Sequence, residues 1–146
     1  MPRKTRKAQV VIAGYDAKSQ LFSYLFLQTN QRRGEFWQNV TGKVDAGETY
    51  EQGAIREVIE ETKMNPDWII HFIDLKISHN FIDERKRDVH EKAYLCVINR
   101  TFSVTIDRHE HQDFRWETDP RRSSVKHLGN YEAIEASRKI LEEDFT

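Results

Sequence analysis

The stretch from Glu48 to Lys63, inside the run GKVDAGETYEQGAIREVIEETKM that extends from Gly42 to Met64, constrains this chain more than any other. Thr49 with Gln52 three residues later is a capping-box pair, which opens a helix. Asn65-Pro66 stops it, because the residue before a proline is driven out of the helical region. At about 100° per residue, setting Glu57 at zero puts Glu60 near −60° and Glu61 near +40°. Three carboxylates therefore share one face. Ala54, Ile55, Val58 and Ile59 fall between about 60° and 200°, the face expected to pack on a sheet. Arg56 stands i,i+4 from Glu60, where an ion pair forms.

Acids on one face repel each other, by a few tenths of a kcal/mol per solvated pair. On charge pattern alone, a solvated acidic face is the simpler account. The alternative is a divalent cation held among the carboxylates. Hard cations take oxygen ligands, keep several waters and bridge to phosphates. Such clusters suit phosphorus chemistry, where charge on the attacking and leaving oxygens must be offset.

The rest of the chain predicts mostly strands. Ala8–Tyr15, Leu21–Gln28, Phe36–Val40, Ala93–Ile98 and Phe114–Trp116 read as strands, and Trp68–Ile82 as one or two more. Phe102–Ile106 alternates and reads as another short strand. Thr29–Glu35 and the charged Asp83–Asp88 read as a loop and a turn, and Tyr131–Glu143 as a second helix. Strands with one helix inserted and one at the end predict an α/β fold, a mixed sheet with helices packed on it. The 146 residues fit one domain, 1–146, with residues 1–7 (MPRKTRK) as a flexible basic tail.

Acids and bases nearly cancel, leaving a net charge of −1. That excludes a general attraction to nucleic acid or to anionic membranes, so an anionic small-molecule substrate must be handled locally. No apolar run reaches the roughly 18 residues of a membrane span, and the start lacks a signal peptide's apolar core, so a cytoplasmic protein is expected. Cys96 is the sole cysteine. Its apolar surroundings make it a buried structural thiol rather than a nucleophile.

The run from Gly42 to Met64 closely resembles the box of the Nudix hydrolases. Gly42, Glu48, Arg56, Glu57, Val58, Glu60, Glu61 and Met64 stand where that family has its defined residues. Lys63 departs from it, since the family has a glycine there. That glycine ends the helix in a left-handed conformation, so Lys63 puts the helix end in question. The resemblance implies the Nudix fold, a mixed sheet sandwiched between helices (α/β/α). It also implies hydrolysis of a nucleoside diphosphate linked to another group, with Mg²⁺ or Mn²⁺. By the same resemblance Glu57, Glu60 and Glu61 are the metal ligands, joined by the Thr41 carbonyl and by Glu110 from a later loop. Glu57 is the candidate general base, and Arg56 pairs with Glu48 and orients Glu57. Glu110 has a rival account as a solvated loop acid. His109 and His111 beside it lack a third ligand for a zinc site.

The flanks FWQNVTG (Phe36–Gly42) and HEHQDFRWE (His109–Glu117) resemble bacterial dihydroneopterin triphosphate and dATP pyrophosphohydrolases. This implies a nucleoside or pterin triphosphate substrate, cleaved to the monophosphate and pyrophosphate. Phe36 and Trp37 are candidates to stack on a base or pterin, or else are core aromatics. Arg33, like Arg32, is a candidate phosphate contact, or else an ordinary loop residue. Nucleotide sugars, dinucleoside polyphosphates and capped RNA are the alternative substrates, and a non-catalytic nucleotide-binding module is the alternative of another class.

Overall fold

The computed structural model describes residues 4–145. The chain runs β1 (Thr5–Asp16), β2 (Leu21–Thr29), β3 (Trp37–Gln38), β4 (Val40–Lys43), α1 (Tyr50–Thr62), β5 (Ile69–Ile82), β6 (Asp88–Ile98), β7 (His111–Glu117) and α2 (Leu128–Asp144). One mixed sheet holds every strand. β1 pairs in parallel with β6 over Thr5–Gly14, and β6 pairs antiparallel with β5, which forms one edge. On its other edge β1 meets β2 at Ala13–Asp16 and β4 at Lys7–Val10. β1 and β2 therefore start together as a hairpin and diverge. β3 and β4 fill the wedge between them, with β3 on β2. β7 closes the far edge along Tyr24–Thr29. The wedge aims the chain out of the sheet at Gly42–Lys43, into the loop that leads to α1.

Each face of the sheet carries one helix and one apolar cluster, the α/β arrangement expected. On the α1 side Val10, Ile12, Leu25, Leu27, Tyr94, Cys96 and Ile98 pack with Ala54 and Val58. On the α2 side Val11, Ala13, Phe26, Leu95 and Val97 pack with Ala133, Ile134 and Leu141. Burying each of the larger side chains contributes about 1.5–3 kcal/mol. Burial also pushes the Cys96 thiol up to about 12, so it is a packing group as expected. Among the described residues, no helix is long and apolar enough to cross a membrane.

Four expectations need correcting. Thr5–Lys7 are not tail but the first residues of β1, paired with both β6 and β4. Residues 1–3 lie outside those described. Phe102–Ile106 forms no strand. Both edges of β6 are already occupied, so the segment lies across the α1-side core instead. There Val104 is buried, and the Phe102 ring sits 5.1 Å from Trp68 and 5.8 Å from Trp116. Alternation was present without a ladder to join. Third, the inner face of α1 is turned toward its acids. Gly53, Ala54, Val58, Glu61 and Thr62 are buried, while Ile55 and Ile59 are only half-buried. The helix is clamped close to the chain leaving β4, where a Cβ on Gly53 would meet the Val44 side chain at 3.0 Å.

The fourth concerns the helix end. Lys63 itself adopts the left-handed conformation, with φ 60°, and its N–H donates to the Ile59 carbonyl. It does what the family glycine does, at a steric cost of about 1–2 kcal/mol. Asn65 then caps the short 3₁₀ turn Pro66–Trp68 through its side chain. Lys63→Gly is expected to raise stability by about 0.5–1 kcal/mol, the relieved strain less glycine's added chain entropy. Chemical denaturation of the two proteins measures it, and no gain would mean that Lys63 is not strained.

Candidate active site

The geometry is built on Arg56. Its Nε donates to Glu48 Oε2 at 2.8 Å and its Nη2 to Glu48 Oε1 at 2.9 Å, a two-pronged pair. Nη2 also reaches the Lys43 carbonyl at 2.9 Å, and Nη1 reaches Glu57 Oε1 at 3.0 Å and Glu60 Oε2 at 3.1 Å. One guanidinium thus ties α1 to the end of β4, to the loop before the helix, and to two of its own acids. Glu48 braces the loop in turn, accepting the Asp45 N–H at 2.8 Å. Arg6 supports the same turn from β1, donating to the Asp45 and Glu48 carbonyls at 2.8 Å each.

Behind this clamp lies a cleft of about 410 Å³, lined by Thr41, Gly42, Lys43, Glu57, Glu60, Glu61, Lys63, Asp107 and Glu110. It brings together every residue expected to hold metal, from β4, α1 and the turn before β7. The acids are not equivalent. Glu60 is 56% exposed, whereas Glu57 and Glu61 are 12% and 10% exposed. Glu57 lies against Gly42, where any side chain would overlap its carboxyl. Burial pushes the Glu57 carboxyl up to about 7, with Glu61 and Glu60 adding repulsion and Arg56 opposing both. Glu61 Oε2 is buried with no hydrogen-bond partner among the described residues.

An all-oxygen donor set, crowded and partly unsatisfied, fits a hard divalent cation. Glu57, Glu60, Glu61, Glu110 and Thr41 line the cleft where such a cation would sit.

Asp107 organises the Glu110 turn. Its carbonyl accepts from the N–H groups of Glu110 and His111 at 3.1 and 2.9 Å, and its Oδ1 accepts from that of His109 at 3.0 Å. Asn30 adds its N–H to the Glu110 carbonyl at 3.0 Å. Arg33 Nη1 lies 3.7 Å from Glu110 Oε2, so it sits at the rim beside an acid. Phe36 and Trp37 lie outside the cleft. The Arg115 guanidinium covers Trp37 at 4.1 Å, and Lys126 covers Phe36 at 4.7 Å.

His111 is the residue that sequence reasoning underrated. It is 2% exposed, with Nδ1 3.1 Å from Glu61 Oε2. Ligand atoms of Glu61, Glu110 and His111 lie within 4.8 Å of one another. Strand alternation would send His111 the same way as Asp113 and Arg115. However, Gln28 pairs with Asp113 and Thr29 with His111, so Gln112 is an extra, bulged residue. The bulge turns His111 to the α1 side. Nothing in the sequence marks a bulge there.

The Arg56 clamp has a pH signature. Its hydrogen bonds hold the Glu48 carboxyl down to about 2, from an ordinary 4.5. A lowered folded-state value stabilises the fold fully above 4.5, and that contribution is lost as pH falls toward 2. Glu48→Gln is expected to lower stability at pH 7 and to flatten its decline below pH 4.5, measured as melting temperature against pH. An unchanged acid limb would show that the clamp does not support the fold.

Comparison with known proteins identifies the family and the fold. The NUDIX domain family model matches residues 4–118. The Escherichia coli dihydroneopterin triphosphate pyrophosphohydrolase structure is 27% identical, with a TM-score of 0.74 over 89% of this chain and 92% of that one. A Caenorhabditis elegans Ap4A hydrolase in a binary complex is 21% identical, with a TM-score of 0.77 over 94% of this chain and 98% of that one. A curated octanoyltransferase from Myxococcus xanthus is 39% identical over 57 residues, which is 39% of this chain but 15% of that protein. With the family model spanning most of its length, and a mixed sheet carrying the acidic helix between β4 and β5, the chain belongs to the Nudix hydrolases.

Proposed function

We propose that this Nudix hydrolase is a Mg²⁺- or Mn²⁺-dependent pyrophosphohydrolase of a nucleoside triphosphate-like substrate, a dNTP, an NTP or dihydroneopterin triphosphate. The observation that carries this reading is the convergence of Glu57, Glu60, Glu61, Glu110 and Thr41 on one cleft. The triphosphate preference draws support from the flanks of the box and from the 27% identity to the dihydroneopterin triphosphate enzyme.

A bound divalent cation would supply charge neutralisation for the polyphosphate. Glu60, Glu61, Glu110 and the Thr41 carbonyl would hold it. Glu57 takes the proton from an attacking water, whose oxygen bonds to a phosphorus of the α–β bridge. The bond from that phosphorus to the bridging oxygen breaks, the bridging oxygen keeps the electron pair on the departing group, and the products are the monophosphate and pyrophosphate. Arg56 holds Glu57 Oε1 while Gly42 backs its carboxyl, so the base is fixed by contacts on two sides. Preset geometry of this kind lowers the barrier, since a displacement near 1 Å can cost about 100-fold in rate. Lys43 and Lys63 are the cationic side chains lining the cleft and are suited to phosphate oxygens.

Glu57→Gln and Glu61→Gln are expected to lose most turnover with Mg²⁺ while remaining folded, and chelation should abolish wild-type turnover reversibly. Wild-type rates in both variants would refute the roles of Glu57 as base and Glu61 as ligand. Gly42→Ala is expected to lose about 100-fold in kcat by pushing the Glu57 carboxyl aside. Assay of dNTPs, NTPs, dihydroneopterin triphosphate, ADP-ribose and diadenosine polyphosphates, scoring pyrophosphate and phosphate separately, tests the substrate class. Pyrophosphate release from a triphosphate should dominate. Turnover confined to diadenosine polyphosphates or ADP-ribose would overturn the triphosphate reading, and nucleotide binding without turnover would make the chain a binding module.

A further inference from the structure

We infer that His111 is a positioning residue for Glu61, donating from Nδ1 to Glu61 Oε2 and so directing the other carboxylate oxygen into the cleft. The inference rests on the reading of Glu61 as a metal ligand. Its own grounds are geometric. Gln38 Nε2, an amide nitrogen that can only donate, lies 3.3 Å from His111 Nε2. His111 Nε2 is then the accepting nitrogen, and the ring hydrogen sits on Nδ1. Nδ1 faces Glu61 Oε2 at 3.1 Å. Both atoms are buried, and neither has an aligned hydrogen bond among the described residues. A buried donor and a buried acceptor left unpaired cost about 1–3 kcal/mol each, so a small side-chain rotation that joins them is favoured. Since that rotation closes the pair, Gln38 on β3, His111 on β7 and Glu61 on α1 form one relay across three elements.

The bulge at Gln112 gives the relay its reason. Without it, His111 would point to the opposite face of the sheet, away from α1. Local disruption of the β2–β7 ladder is thus coupled to a single gain, an imidazole aimed at the most buried of the cleft acids. Groups that orient a ligating carboxylate typically change metal affinity or activity by about 10–100-fold when removed.

The test compares His111→Asn, whose amide nitrogen falls near the Nδ1 position, with His111→Gln, whose amide reaches instead toward Gln38. Mn²⁺ affinity is titrated by electron paramagnetic resonance, with circular dichroism to establish folding. His111→Asn is expected to bind Mn²⁺ within ~3-fold of wild type, and His111→Gln at least ~10-fold more weakly. Equal affinity in all three overturns the inference while leaving the metal reading intact. Glu61→Gln should weaken Mn²⁺ binding strongly. If it does not, both readings fall. A measurement on the wild-type protein alone guards against variants that do not fold. Electron spin echo modulation of bound Mn²⁺ should show no directly coordinated nitrogen. A coordinated nitrogen would make His111 a ligand and overturn the positioning role.

Discussion

The guanidinium of Arg56 is the interaction on which the rest of the site depends. It brings together Glu48 from the loop, the Lys43 carbonyl at the end of β4, and Glu57 and Glu60 on its own helix. Arginine's five donors in a rigid plane make this possible, and a lysine ammonium could not span the same partners. Each contact alone is modest. Together they fix where α1 begins, how close it lies to the sheet and which way Glu57 points. Arg6 on β1 reinforces the same turn through the Asp45 and Glu48 carbonyls.

The site is held against its own electrostatics. Three carboxylates on one helical face, Glu61 buried and Glu57 partly so, repel each other and lose solvation. The scaffold offsets part of that with Arg56, and a bound cation would offset the rest. The opposing demands explain local compromises around the cleft. Lys63 sits in a left-handed conformation to end the helix. Gly42 gives up its side chain to admit the Glu57 carboxyl. β7 carries an extra residue that brings His111 round to Glu61. These three features border the cleft, and further irregularities stand elsewhere, at Lys76 in the bulged strand β5 and at Gln20, Glu35 and Lys86 outside the strands.

Much of this was legible in the residues. Thr49 and Gln52 form both bonds of their capping box, whereas the helix ends at Lys63, before Asn65-Pro66 opens the next turn. Strong apolar runs such as Val10–Ile12 and Leu25–Leu27 are central strands. Errors arose where a local pattern had more than one tertiary solution. Phe102–Ile106 alternates as a strand does, yet both edges of β6, the strand it follows, are taken by β1 and β5. Ile55 and Ile59 are as apolar as Val58, yet α1 is rolled so that Glu61 is buried and they are not. A helical wheel weighs side chains by transfer energy and cannot include a tie such as the bond from Arg56 to Lys43.

By itself, the sequence determined that three acids would share a helical face, that a glycine would precede them across a short loop, and that strands would supply the platform. These follow from backbone periodicity and capping, which act over a few residues. Only the tertiary structure decided which acid is buried, that Arg6 belongs to the site's support, that Trp37 is covered by Arg115 instead of facing the cleft, and that His111 lies beside Glu61. Those outcomes depend on a strand wedge, a rolled helix and a single bulged residue. Each is set by contacts between segments tens of residues apart, whose energies no local pattern records.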